Sequence, residues 1–321
     1  MTTKNSHSIS IRNFLSQIVD YAGLYPPASL SLEDAIRNFV TYQADPEVWM
    51  LSRFIIPAKR LPELSKFAGR VFPKGGMLSF SVLGRGGKDA DEFFQHLKLD
   101  LEDIHTFREL HGTGVVADMF EVALPGSGFT DPSSAHDLVN KTADVLNKNG
   151  LTVFFEAPFG EGWQARAEKL FRALRKIKDK HVGFKLRTGG VTPDAFPTPE
   201  QVAWTIASVR DAGIPMKATA GLHHPIRHYN EGVQTKMHGF INVFGAGVLA
   251  LSHGLDQDQI REIIEDEDSA NFIFNETGFS WENFTANIEQ IKQARVSGFV
   301  SFGSCSFDEP REDLQKLGLL K

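Results

Sequence analysis

The sequence of 321 residues contains a single cysteine, Cys305, and so cannot form an intrachain disulfide. It also lacks a long apolar run. The longest nearly apolar stretch, 239–251, is shorter than the roughly 20 residues of a membrane-spanning helix and is interrupted by Asn242. The first residues include no apolar segment of the kind that directs export. These absences predict a cytoplasmic protein that does not cross a membrane.

The chain has no strong excess of charge of either sign. Its 34 basic and 40 acidic residues give a net charge of −6, and the lysines and arginines are scattered along the sequence. Proteins that bind nucleic acid usually carry a basic patch or stripe. We therefore expect a small-molecule substrate, with neither nucleic acid nor a membrane as partner, and a homo-oligomer remains open.

Short strand-like runs alternate with helix-patterned segments as far as residue 297. The strand-like runs are 18–24, 49–56, 77–83, 115–123, 152–157, 182–187, 216–221 and 271–275. Alternation of this kind is typical of βα units that build a parallel sheet. The sequence therefore predicts an α/β fold, a (β/α)8 TIM barrel formed by residues 1–297, with a C-terminal extension, 298–321, that packs on the barrel.

Helix start signals support this alternation. Thr198 is followed by Pro199 and, three residues after it, by Gln201, which together form a capping-box pattern, and Ser31 opens another helix in a similar way. The segment 221–238 has no apolar period, so we assign the next helix to 237–251. That assignment moves the eighth strand from 240–250 to 271–275.

Two neighbouring predicted strands each carry a lysine between apolar residues. Lys185 and Arg187 share one face of the run 182–187, and Lys217 shares a face with Thr219 in the next run. Two amines that face one another repel, so that one can be neutral near pH 7 and attack a carbonyl to form a Schiff base. For the run 182–187, the alternative is that the strand faces the other way, so that the side chains of Lys185 and Arg187 reach the rim of the barrel and are solvated there.

Carboxylates lie on several of the other predicted strands. Asp118 and Glu121 have opposite parity, so a regular strand sends only one of them into the barrel. Glu156 ends its strand, where a catalytic acid is expected, and Asp20 lies on the first strand. Any of these carboxylates could instead belong to a structural salt bridge.

Basic and imidazole side chains are concentrated in the loop after the seventh predicted strand: His223, His224, Arg227 and His228. Loops at this end of the strands build the active sites of such barrels. We expect His223 and His224 to contact the substrate, aided by Arg187, because neutral imidazole suits hydroxyl or carboxylate groups. Cys305 has no motif near it and is assigned no chemical role.

The order of these segments resembles the deoxyribose-phosphate aldolase family, class I aldolases built on a (β/α)8 barrel. The resemblance is carried by 19–28 with 32–35, Phe-Ile-Ile-Pro at 54–57, Ser-Val-Leu-Gly at 81–84, Ala-Asp-Met at 117–119, Phe-Glu at 155–156, Lys-Leu-Arg-Thr-Gly at 185–189 and Met-Lys-Ala-Thr-Ala-Gly-Leu at 216–222. It implies that Lys185 forms the imine, that Lys217 lowers the pKa of Lys185, and that Asp118 relays protons. Such chemistry needs no metal or other cofactor.

The sequence also departs from that family. The family's phosphate-binding Gly-Gly-Ile-Arg is replaced by Ala-Gly-Leu-His-His-Pro at 220–225, so a simple phosphosugar is not the expected substrate. The family's closing strand ends in a small phosphate-binding pair, which the residues at 271–276 do not reproduce, and the compact family has no counterpart of the C-terminal extension.

Taken together, these features predict an aldolase-like carbon–carbon lyase that acts through a lysine Schiff base on a small carbonyl or sugar-like substrate. The predicted catalytic residues are Lys185, Lys217, Asp118, Glu121 and Glu156. The predicted substrate-binding residues are Asp20, Arg187, Thr188, Gly189, His223, His224 and Arg227.

Two alternatives remain open. One is a metal-dependent hydrolase or isomerase, in which His223, His224 or His228 joins Glu156 to hold a divalent ion. The other is a non-catalytic binding barrel that keeps its two lysines to bind an anion.

Overall fold

The structure is a computed structural model that describes residues 8–157 and 160–321. The strands are β1 (Val19–Tyr21), β2 (Leu51–Pro57), β3 (Leu78–Leu83), β4 (Val115–Ala123), β5 (Thr152–Glu156), β6 (Val182–Arg187), β7 (Met216–Thr219), β8 (His228–Asn230), β9 (Thr235–Met237), β10 (Phe272–Phe274), β11 (Gly278–Trp281), β12 (Phe284–Asn287) and β13 (Phe299–Ser304). The helices are α1 (Ile9–Leu15), α2 (Leu32–Tyr42), α3 (Leu61–Ser65), α4 (Ala68–Val71), α5 (Ala90–His111), α6 (Pro132–Lys148), α7 (Trp163–Lys176), α8 (Pro199–Ala212), α9 (Phe240–His253), α10 (Gln257–Glu265), α11 (Ile288–Ser297) and α12 (Asp308–Lys316).

Eight parallel strands close into a barrel in the order β1-β13-β7-β6-β5-β4-β3-β2, and helices alternate with them along the chain. This arrangement confirms the predicted α/β fold of the (β/α)8 type. Successive side chains of a strand point to opposite faces of the sheet, so apolar side chains can face the helices while polar ones face the barrel interior. On β6, Phe184 packs outward against Phe171 of α7, with 4.6 Å between the ring centroids, whereas Lys185 points into the barrel.

The predicted helix starts are found in the structure. Thr198 and Gln201 form a reciprocal capping box at the start of α8, and the Ser31 side chain accepts a hydrogen bond from the backbone N–H of Asp34 at the start of α2. Each cap satisfies an N–H group that has no partner within its helix. The segment assigned to a helix at 237–251 coincides with most of α9, whose residues from Phe240 to Ala250 are all buried.

The assignment of the eighth strand to 271–275 was wrong. Residues Phe272–Phe274 form β10, which pairs with β11 in an antiparallel three-stranded sheet apart from the barrel. The eighth barrel strand is β13, which pairs with β1 and β7. The barrel therefore includes residues 299–304, which lie within the segment predicted as an extension beyond residue 297.

The composition of β13 explains why the sequence pattern did not reveal it. Phe302 packs on Phe240 of α9, with 5.0 Å between the ring centroids. Ser301 faces the barrel interior, where it donates a hydrogen bond to Asp20, and Gly303 lines the interior cavity. Small residues on the inner face leave no continuous apolar run, although the strand keeps its alternation.

Helix α12 follows β13 and packs beside the mouth of the barrel. Its Asp308 accepts a hydrogen bond of 2.7 Å from the Tyr42 hydroxyl of α2, and its Arg311 forms an ion pair with Asp45. Among the described helices, none combines the length and the apolar character that a membrane span requires.

Candidate active site

A cavity of about 330 Å³ opens at the carboxyl ends of the barrel strands. Its lining includes Glu121 from β4, Lys185 and Arg187 from β6, and residues that follow β1, β7 and β13. Active sites of (β/α)8 barrels lie at this end, because the loops that vary in sequence converge there. The cavity is therefore the first candidate for a site of chemistry.

Two lysines project into the barrel from adjacent strands. Lys185 of β6 and Lys217 of β7 are in register, so their side chains lie on the same face of the sheet. Lys185 lines the cavity and is 7% exposed, whereas Lys217 is 1% exposed and is absent from the cavity lining. Lys185 is thus the amine that a small molecule in the cavity can reach.

Glu121 lies between the two lysines. Its Oε2 is 2.9 Å from Lys185 Nζ, and its Oε1 is 2.6 Å from Lys217 Nζ. The Ser81 hydroxyl also donates a hydrogen bond of 2.6 Å to Oε1. This buried carboxylate therefore joins the two ammonium groups into one network.

Asp20 and Glu156 extend the network on either side. Asp20 is fully buried; its Oδ2 lies 2.8 Å from Lys217 Nζ, so it is a partner of the deeper lysine rather than part of the cavity lining. Glu156 lies 3.4 Å from Lys185 Nζ and 3.2 Å from Arg187 Nε. Carboxylates and cations therefore alternate along the network, in the order Asp20, Lys217, Glu121, Lys185, Glu156 and Arg187. With three of each, their formal charges cancel.

The network holds Lys185 in its charged form. Burial lowers the pKa of Lys185, but the carboxylates of Glu121 and Glu156 outweigh burial and raise that pKa above its ordinary value. Burial likewise raises the pKa of Glu121, but Lys185, Lys217 and the Ser81 hydrogen bond lower it well below its ordinary range. The structure thus differs from the expectation that Lys217 lowers the pKa of Lys185, because Glu121 stands between the two amines.

Asp118 lies away from Lys185 and Lys217 and pairs with Arg53 instead. Both of its carboxylate oxygens accept hydrogen bonds of 2.9 Å from Arg53, and its side chain is 44% exposed. The register between β3 and β4 shifts at this point, where Ala117 pairs with Phe80 but Met119 pairs with Ser81. The shift makes Asp118 an extra residue in β4 and turns Glu121 toward the lysines.

Thr188 and Gly189, predicted to bind substrate, connect the loops after β6 and β7. The Thr188 hydroxyl donates hydrogen bonds to the backbone carbonyls of Thr219, at 3.1 Å, and Ala220. A Cβ atom on Gly189 would lie 2.8 Å from the Cα of Gly221, so a larger residue would separate the two loops. These residues shape the wall of the cavity through backbone contacts.

His223 is the imidazole that lines the cavity together with Lys185. Its Nδ1 lies 3.2 Å from Glu309 Oε2 of α12 and 3.7 Å from Cys305 Sγ. Burial lowers the pKa of His223, but Cys305 and Glu309 outweigh it and raise the pKa to about 9. His223 is therefore a cation at neutral pH and not the neutral imidazole that the sequence suggested.

The other basic residues of this loop lie away from the cavity. His224 Nδ1 is 2.5 Å from Asp313 Oδ2 of α12, and Arg227 Nη1 is 3.1 Å from His238 Nδ1. His224, Arg227 and His228 line a separate surface depression. The structure does not place the histidines around Glu156, and in the described ranges no group of three or more His, Cys, Asp or Glu side chains is arranged to hold a metal ion.

Cys305 and Tyr25 are among the cavity-lining residues that received no role from the sequence. Cys305 follows β13 directly and is 7% exposed, so a correct assignment of the eighth strand would have placed it at the mouth of the barrel. Tyr25 lies in the loop after β1, directly beyond the predicted strand 18–24.

Replacing Glu309 by Gln is expected to lower the pKa of His223 from about 9 toward 6.5. Because the pKa is raised in the folded protein, the pairing stabilises the fold fully below pH 6.5 and is lost as the pH rises through about 9. An NMR titration of the imidazole measures the pKa directly, with Asp313→Gln as the control that leaves the Glu309 contact in place. A His223 pKa that stays near 9 in Glu309→Gln would contradict this interpretation.

Comparison of the sequence with known protein families and with curated proteins finds no match. Among solved structures, the chain is similar to a deoxyribose phosphate aldolase from Aeropyrum pernix, described as a unique tetramer. The TM-score is 0.45 and the sequence identity 16%, over 67% of this chain and 80% of that chain.

Proposed function

We propose that the protein is an aldolase-like carbon–carbon lyase in which Lys185 forms a Schiff base with a small carbonyl substrate. The observation that carries the proposal is the position of Lys185, a buried amine that lines the cavity with carboxylates on two sides. The substrate class, the lyase activity and a cytoplasmic location are all parts of this proposal.

Lys185 and the carboxylates beside it would supply the nucleophile and the base of that reaction. The Lys185 amine attacks the carbonyl carbon, and loss of water from the resulting carbinolamine gives an iminium ion. A neighbouring carboxylate then takes the proton of the substrate's β-hydroxyl. The carbon–carbon bond breaks, an aldehyde leaves, and the bonding electrons move into the iminium to give an enamine. Protonation and hydrolysis of the enamine release the second product and free Lys185.

Glu156 is the better placed of the two carboxylates to accept protons during the reaction. Glu121 is held between two lysines, which keep its pKa low and make it a weak base. Glu156 lies at the edge of the network, 3.4 Å from Lys185 Nζ, and contacts Arg187 at its other oxygen. The proton of the Lys185 ammonium can therefore pass to Glu156 when a substrate enters.

Incubation with a small ketone and borohydride tests the proposal. The expected result is one reduced adduct per chain, mapped by mass spectrometry to Lys185. The initial rate of adduct formation should rise about tenfold per pH unit from pH 7 to pH 9, because the raised pKa of Lys185 leaves only a small neutral fraction in this range. Absence of an adduct with every ketone and aldehyde tried would contradict the proposal, whereas a rate that levels off near pH 7 would contradict only the raised pKa of Lys185.

A non-catalytic binding barrel is the second candidate, and one observation favours it. The carboxylates that raise the pKa of Lys185 disfavour the neutral amine that an imine former requires. A binding barrel would retain Lys185 as a cation and bind a small anion reversibly. Binding without any borohydride-trapped adduct up to pH 9 would favour this second candidate.

A further inference from the structure

The hydroxyl of Tyr25 is buried without a hydrogen-bond partner. Of the side-chain nitrogen and oxygen atoms that are buried in the described residues, it alone has no partner in the protein. Buried polar groups in folded proteins are almost always hydrogen-bonded, because an unpaired one destabilises the fold. The residues around Tyr25 should therefore show why its hydroxyl is left without a partner.

The remaining three of the four tyrosines in the sequence do have partners. The Tyr42 hydroxyl donates to Asp308 at 2.7 Å, and the Tyr229 hydroxyl donates to Gln234 at 3.3 Å. The Tyr21 oxygen accepts a hydrogen bond of 3.5 Å from Asn38. Tyr25 therefore differs from every other tyrosine of this chain.

Tyr25 lines the same cavity as Lys185 and Glu121. The loop after β1 holds it firmly, since its backbone N–H donates to the Ala22 carbonyl and its own carbonyl accepts from the Ser29 N–H. Its hydroxyl also stays protonated, because burial, with a further contribution from the Glu121 charge, raises the pKa of Tyr25. The hydroxyl is thus a protonated hydrogen-bond donor on a residue that lines the cavity and whose backbone is held in place.

We propose that the Tyr25 hydroxyl donates a hydrogen bond to a hydroxyl oxygen of the substrate, so that the cavity selects hydroxylated carbonyl compounds. The inference rests on the proposed function for the position of the carbonyl, which lies at Lys185. A neutral oxygen fits this place better than an anionic group, because the nearby cations are already paired, Lys185 with Glu121 and Glu156, and Arg187 with Glu156. The bond fixes the end of the substrate away from Lys185 and would pair the buried hydroxyl.

Tyr25→Phe tests the proposal, with acetone and 5-hydroxy-2-pentanone as probes. Only the second carries a hydroxyl, and it lies one carbon beyond the β position, so this ketone is not itself a substrate for carbon–carbon cleavage. Equilibrium binding is followed by NMR titration, and imine formation by borohydride trapping. We expect the dissociation constant of the hydroxylated ketone to rise about tenfold, while that of acetone is unchanged. Tyr229→Phe, which removes an exposed hydroxyl, should change neither.

The melting temperature gives a readout that is independent of any ligand. Tyr25→Phe removes an unpaired hydroxyl and should melt at or above the temperature of the natural protein, whereas Tyr42→Phe loses its bond to Asp308 and should melt lower. A drop for Tyr25→Phe as large as that for Tyr42→Phe would show a structural role and overturn the inference.

The two readouts separate the inference from the proposed function. If the hydroxylated ketone binds through Tyr25 but is never trapped, the Schiff-base proposal fails and the inference holds. If both ketones are trapped on Lys185 and Tyr25→Phe affects them equally or not at all, the inference fails and the Schiff-base proposal holds. If neither ketone binds nor is trapped, both are overturned.

Discussion

Replacing Lys185 by Arg should reduce the borohydride-trapped adduct by about 100-fold or more, because guanidinium remains protonated and does not attack carbonyls. Arginine keeps a positive charge between Glu121 and Glu156, so the charge balance of the network is preserved. The neighbouring cavity leaves room for the larger group. Loss of the adduct in a folded protein would therefore report the chemistry of this one amine.

Lys59→Arg is the matched control. Lys59 follows β2 and is exposed, so its replacement should leave the yield of adduct unchanged. Circular dichroism and the melting temperature establish that both variants are folded. An adduct that persists at the natural level in Lys185→Arg and maps to Lys217 would show that the deeper lysine is the nucleophile. Equal loss in both variants would mean that trapping depends on exposed amines.

The lysine pair could be predicted from the sequence because the strands that carry it are regular. Lys185 and Lys217 each alternate with apolar residues, and in a parallel sheet that alternation decides which face a side chain takes. The barrel itself followed from the same alternation, repeated along the chain. The local sequence pattern was sufficient to predict a strand and the facing of its side chains wherever that strand had a continuous apolar outer face.

The same reasoning failed for strands whose pairing or composition is irregular. The register shift between β3 and β4 decides that Glu121, and not Asp118, reaches the lysines, and no residue type near it signals such a shift. In β13 the inward residues are small, so the strand and the adjoining Cys305 were assigned to an extension. Both errors concern tertiary pairing, which a local pattern does not contain.

The charge state of the site also depends on tertiary contacts. Two lysines in register would repel if they faced each other alone, and the pKa of one would then be lowered. Glu121 lies between them and Glu156 lies beside Lys185, so the pKa of Lys185 is raised instead. The direction of the shift depends on where these two carboxylates lie, which the spacing of the lysines does not determine.

Glu121→Gln should destabilise the protein by about 3–5 kcal/mol, the usual effect of removing one partner from a buried ion pair. The buried carboxylate accepts hydrogen bonds from Ser81 and Lys217 and pairs with Lys185. A glutamine keeps one acceptor oxygen but turns an NH2 group toward an ammonium, so at least one lysine loses its central partner. Urea denaturation at pH 7 measures the change in the free energy of unfolding.

Acid should remove the difference between the two proteins. Since the pKa of Glu121 is lowered in the folded state, its contribution is fully present above 4.5, the ordinary pKa of a glutamate, and is lost as the pH falls below it. Glu63→Gln is the control: Glu63 also accepts two hydrogen bonds from one cation, Arg60, but its side chain is 48% exposed. That change should cost at most about 1 kcal/mol, because water screens exposed pairs. If both variants lose the same small amount at pH 7, Glu121 is not the group that holds the two lysines inside the barrel.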